Sequence, residues 1–129
     1  MIRSVLAVVA GYAVICAIVL TFSWLLPPTA LGSRMLFVAY GFLAALMGGY
    51  VAAALAGRAP FRHAVVLACV GVTLALLSLV FSLEEEPLWF HLANTVVPTA
   101  GVLLGGWLKE RQARARTLAP ATRGWHEVV

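Results

Sequence analysis

The chain has 129 residues, 63% hydrophobic and only 11% charged, with a mean hydropathy of +0.99 and a formal net charge of +4. A soluble domain carries about 25% charged residues and at most about half apolar ones, so this composition excludes a domain that covers itself in water. Four apolar runs of membrane-spanning length fill most of a length that allows one domain. The sequence therefore predicts an all-α integral membrane protein over residues 1–119, its four transmembrane helices forming an up-down bundle of two helical hairpins.

The first run, Val5 to Leu26, follows Arg3 and stops at Pro27-Pro28. Its length gives roughly 33 Å of helix, enough to cross a bilayer. A cleaved signal peptide has a shorter apolar core and a small-residue cleavage site. Here only the weak pattern Pro28-x-Ala30 follows, so the run reads as an uncleaved anchor. Ala7 and Gly11 form a small pair four residues apart on it.

Ser33 is placed to cap the second run, Met35 to Ala56, because its hydroxyl can accept from a free backbone N–H. This run carries the organising pattern of the chain. Gly41, Ala45, Gly49, Ala53 and Gly57 recur every fourth residue, and Ala44, Gly48, Ala52 and Ala56 form the neighbouring line. Positions four apart share a helix face. Glycines weaken a helix in water by roughly 1 kcal/mol each relative to alanine, but small residues in lipid let two backbones approach and pack. The two stripes predict a packing spine with more close-packing surface than one bundle needs. Gly57-Arg58-Ala59-Pro60 then reads as a stop signal and tight turn.

The third run spans Ala64 to Leu83, with Thr73, Ser78 and Ser82 expected to bond their own helix or a neighbour. Glu84-Glu85-Glu86-Pro87 reads as a solvated link rather than a cation site. The fourth run spans Leu88 to Leu108, and Lys109 to Ala119 continues its helix out of the membrane. Pro120 to Val129 reads as a disordered tail. Gly101 and Gly105 repeat the small-xxx-small spacing on the fourth run.

Basic residues near the span ends set orientation. With four spans, one side holds Arg3, Arg58, Arg62, Lys109, Arg111, Arg114, Arg116 and Arg123, and the other only Arg34. Both termini are therefore expected on the cytoplasmic side of a bacterial inner membrane. Trp24, Phe37, Trp89 and Phe90 then fall at the outer interface, and Phe61 and Trp107 at the inner one. Leu46-Met47-Gly48-Gly49-Tyr50 also resembles Leu103-Leu104-Gly105-Gly106-Trp107, 57 residues later. Either two parallel hairpins are related by an axis along the membrane normal, or the likeness is chance; the first reading places the two glycine pairs at one depth.

The fourth run is the polar one. His91, Thr95 and Thr99 lie on one stripe, with Asn94, Pro98 and Gly101 beside them. Pro98 cannot bond the carbonyl of Asn94 and is expected to kink the helix, and nearby threonine hydroxyls can re-satisfy freed backbone groups. Polar residues inside a span are functional candidates by default. The competing reading is that Asn94 bonds a neighbouring helix and His91 sits at the wet interface. His63 and His91 begin spans at opposite levels, about 30 Å apart, so they cannot ligate one metal within a subunit. No metal, cofactor or catalytic site is predicted. Cys16 and Cys69, each inside an apolar run, read as packing residues.

Lys109, Arg111, Arg114 and Arg116 form a basic extension that sets orientation, with anionic headgroups or an acidic partner as alternative contacts. Nucleic acid is not expected, because no fold presents these arginines. In size the chain is similar to small multidrug exporters and fluoride channels, but the membrane-embedded glutamate through which such exporters resemble each other has no counterpart in the first span. The eight-to-one charge bias also argues against dual orientation. The expected function is a non-enzymatic accessory or interaction subunit that packs with itself or a larger membrane complex. The alternative is a small transporter or channel with a polar path along the fourth span.

Overall fold

The structure, a computed structural model, describes residues 2–25, 31–57, 59–82 and 87–118. Four helices account for 97% of them: α1 (Ile2–Leu25), α2 (Leu31–Ala56), α3 (Pro60–Ser82) and α4 (Leu88–Leu118). All four are long and apolar enough to cross a membrane. The Pro27-Pro28 stop, Arg58, the Glu84 to Glu86 run and the 120–129 tail lie outside the described residues.

The apolar runs locate the helices, and the first three helices begin earlier than their runs while α4 begins at Leu88 as its run does. The second starts at Leu31, so Ser33 lies within its first turns instead of capping it. The third starts at Pro60, whose fixed φ suits a first helical position and whose missing N–H costs nothing there; the N–H of Arg62 donates to the carbonyl of Ala59 at 3.1 Å. The second helix ends at Ala56, and Gly57 follows with φ +70°. Gly57 is exposed, and a Cβ added to it would meet nothing within 4 Å. It therefore reverses the chain at the helix end and takes no part in helix packing, contrary to the expectation from its place in the every-fourth series. Ala59 has φ +50° without the glycine that usually fills such a position.

Small residues are inside and large ones outside. The buried set is dominated by Ala7, Ala44, Ala45, Ala52, Ala53, Ala64 and Ala68, and Leu67 is the largest fully buried side chain. Leu20, Leu43, Leu77, Val80 and Phe81 point outward. Between helices in lipid there is no hydrophobic gradient to gain, so backbone approach over small residues supplies the packing.

The most extensive contact joins α2 to α4; α1 packs on α2, α3 on α4, and α1 and α4 do not meet among the described residues. Along α2 and α4 the contacts advance together. Phe37 meets Phe90, with ring centroids 6.2 Å apart. Gly41 faces Asn94 and Pro98, Gly49 faces the backbone of Val102, and Gly105 faces Leu46 and Tyr50. The Tyr50 hydroxyl donates to Oε1 of Gln112 at 2.8 Å. Along α1 and α2 the order is reversed: Gly11 meets Gly48 and Ala52, whereas Phe22 stacks on Tyr40 with centroids 3.8 Å apart. Both small-residue stripes of α2 are thus filled within the chain, one by α4 and the other by α1. The second stripe is not surplus surface.

The two glycine pairs do lie at one level, since Gly49 and Tyr50 meet Val102 and Gly105. Their faces do not match. Gly49 and Gly105 line the α2–α4 seam, while Gly48 meets Gly11 and Ile15 of α1 and Gly106 meets Ala64 of α3. A two-fold relation would give the first glycine of each pair the same role. Contact of α2 with α3, with none of α1 with α4, breaks that relation again.

Candidate functional site

The polar stripe of α4 opens on a cavity of about 320 Å³ to which all four helices contribute. Asn94, Thr95 and Thr99 line it, with Pro98 between them, and Tyr12, Phe37, Gly41 and Gly71 form part of the other walls. The small residues make this space: a Cβ on Gly71 would meet nothing within 4 Å, and one on Gly41 would stand 3.7 Å from Cγ of Pro98. The volume lies at the lower end of small-molecule pockets and exceeds what one water needs.

The hydroxyls are already engaged. Thr95 donates to the carbonyl of His91 at 2.8 Å, and Thr99 to the carbonyl of Thr95 at 2.6 Å. Neither reaches the Asn94 carbonyl freed by Pro98, and α4 stays helical through the proline. The Asn94 amide forms no hydrogen bond among the described residues, so it alone presents an unengaged donor and acceptor to the cavity. His91 does not join this group. It is half-buried outside the cavity lining, and its Nε2 is enclosed with no hydrogen-bond partner among the described residues. The four candidate path residues therefore resolve into three that share a cavity and one that does not.

Ala45, Leu67, Ala68 and Val102 form the floor of the cavity, and the same residues pack with Ala52 and Ala64 in the apolar core. Beyond that floor Gly49, Gly101 and Gly105 hold α2 and α4 backbone to backbone. Gly101 is closed in by the Phe42 carbonyl and by Ala45 Cβ, 2.7 and 3.2 Å from an added Cβ. Ala53, one turn on from Gly49, is also buried.

At the Phe90 end an aromatic group roofs the bundle. Phe90 is only 3% exposed, packs edge-on against Trp89 at 5.8 Å and lies under Arg34 at 5.9 Å. Phe90 is thus interior to the bundle, whereas Trp24 is 93% exposed.

The basic extension of α4 is largely self-engaged. Lys109 lies over the Tyr50 ring at 5.1 Å, Arg111 over the Trp107 ring at 5.3 Å, and Arg114 pairs with Glu110 one turn back. Arg116 is exposed. Of the serines and threonines of α3, Thr73 donates to its own helix, to the carbonyl of Cys69 at 2.8 Å. Among the described residues, no three His, Cys, Asp or Glu side chains converge.

No family model matches this chain, and neither a curated protein nor a solved structure does.

Proposed function

We propose that this protein is an accessory or interaction subunit of a bacterial inner membrane, acting by association and not by catalysis or flux. In this reading it is an up-down four-span bundle with both termini in the cytoplasm, in contact with lipid and with a second copy or a larger membrane complex. The apolar floor of the cavity is the observation that carries it: the polar residues of α4 face Ala45, Leu67, Ala68 and Val102 of the buried core, and among the described residues no polar side chain joins that core cluster. The form of α4 supports it further. Its 31 residues measure about 46 Å against roughly 30 Å of hydrocarbon, so a helical basic projection stands clear of the bilayer, tied to α2 through Tyr50 and Gln112.

A small transporter is the second reading, favoured by the unengaged Asn94 amide in a cavity large enough for a small molecule. Isolation from native membranes in mild detergent, with identification of co-purifying chains, separates the two. The accessory reading expects a stoichiometric partner or homo-oligomer that survives Asn94→Ala. A lone chain that moves solute into proteoliposomes, and loses that flux with Asn94→Ala, overturns it.

A further inference from the structure

The seam between α1 and α3 is the least extensive helix contact in the bundle, and at its basic end it is open. A cavity of about 800 Å³ lies where the first turns of α1 and α3 meet the end of α2, and Arg3, Ser4, Arg62 and His63 line it. A second cavity of about 330 Å³ runs on from it along the seam, lined by Val5, Val8, Val9 and Val66. Ser4, His63 and Val66 belong to both, so a cationic mouth and an apolar groove form one continuous site.

We propose that this site holds an anionic phospholipid, with its phosphate at Arg3 and Arg62 and an acyl chain along the valines. The side chains of Arg3 and Arg62 form no hydrogen bond or ion pair among the described residues, in contrast to those of Lys109, Arg111 and Arg114, which meet groups of their own chain. Guanidinium groups match phosphate oxygens in a two-pronged geometry. His63 donates from Nδ1 to the Ala59 carbonyl at 3.1 Å, which leaves Nε2 of the neutral ring as an acceptor for a headgroup hydroxyl. Neither helix has an acidic residue in its first turn. Arginines at the positive end of a helix dipole are unfavourable unless an anion offsets both charges. The apolar groove selects lipid over a soluble phosphate, because only a lipid fills both halves. Basic pockets between membrane helices suit anionic headgroups for the same reason. The inference stands apart from the function proposed above, since it needs neither a partner chain nor a transported solute.

Native mass spectrometry of the full-length protein in a nonionic detergent tests it, with phosphatidylglycerol, phosphatidylcholine and glycerol phosphate as the probes. One phosphatidylglycerol per chain is expected to be retained, with phosphatidylcholine retained far less and glycerol phosphate failing to displace it. Arg3→Gln with Arg62→Gln should weaken retention about 30-fold, from the usual contribution of each basic residue near a membrane surface. Val9→Trp, at an exposed groove position, should weaken it by filling the groove while both arginines remain. Arg111→Gln with Arg116→Gln should leave it unchanged. Equal retention of phosphatidylcholine, displacement by glycerol phosphate, or loss only with the Arg111 and Arg116 variants would each overturn the proposal.

Discussion

Gly41, Gly49 and Gly105 border α4 or α2 in one seam, yet alanine should act on them in opposite directions. A Cβ at Gly49 would run into the carbonyl oxygen of Val102 and stand 2.8 Å from its Cα, and one at Gly105 would run into the carbonyl of Leu46 and stand 2.8 Å from the Tyr50 nitrogen. Backbone atoms cannot rotate aside, so α2 and α4 must separate. Overpacking of this kind costs about 1–3 kcal/mol, and the rigid obstacle places it near the upper end. Alanine's helix preference over glycine returns about 1 kcal/mol, so each substitution should cost about 2 kcal/mol, roughly a 30-fold fall in the folded-to-unfolded ratio. At Gly41 the nearest atom is 3.7 Å away, an ordinary contact, so Gly41→Ala should be neutral or stabilising by up to about 1 kcal/mol. The double variant Gly49→Ala with Gly105→Ala should lose less than the sum, because one separation relieves both collisions. Unfolding midpoints in mixed detergent–SDS micelles, followed by tryptophan fluorescence, report these differences. Equal effects at Gly41 and Gly49, or additive losses at Gly49 and Gly105, would refute the close-contact argument.

Other outcomes follow from the same geometry. Ala59→Gly should stabilise by about 1 kcal/mol, because its left-handed φ strains any residue with a Cβ, and Gly57→Ala should destabilise by a similar amount; the same unfolding midpoints give the two signs. Tyr50→Phe keeps the ring under Lys109 but removes the hydrogen bond to Gln112; a loss of about 1 kcal/mol should appear as faster amide exchange confined to the end of α4. Gly71→Leu should fold normally, since the added side chain enters the cavity space, and under the transporter reading it should stop flux as completely as Asn94→Ala in a proteoliposome assay.

Much of this architecture can be read from residue spacing, and the reasons differ for what cannot. The four apolar runs locate the helices because each must satisfy its backbone internally across the hydrocarbon. Small residues every fourth position on α2 mark faces of close approach, but smallness does not name a partner. That one stripe meets α4 and the other α1 depends on how four rods share space. The every-fourth arithmetic runs on to Gly57 because it carries no information on where the helix stops. Asn94, Thr95 and Thr99 gather on one cavity as their spacing suggests, whereas His91, on the same stripe, is turned out of it near the aromatic roof. The proposed lipid site is not legible as a site. Arg3 and Arg62 are 59 residues apart and read only as orientation signals until α1 and α3 are placed side by side.

The central claim is that α2 and α4 lie side by side in the same direction, joined backbone to backbone over glycine. Cysteine pairs in a variant lacking Cys16 and Cys69 test it directly, with a short bismaleimide linker and native membranes. Pairs at Phe37 with Phe90 and at Tyr50 with Lys109 should both link within one chain, and Phe37 with Lys109 should not. A Phe37–Lys109 link, or links at the first two pairs that form only between chains, would contradict the account.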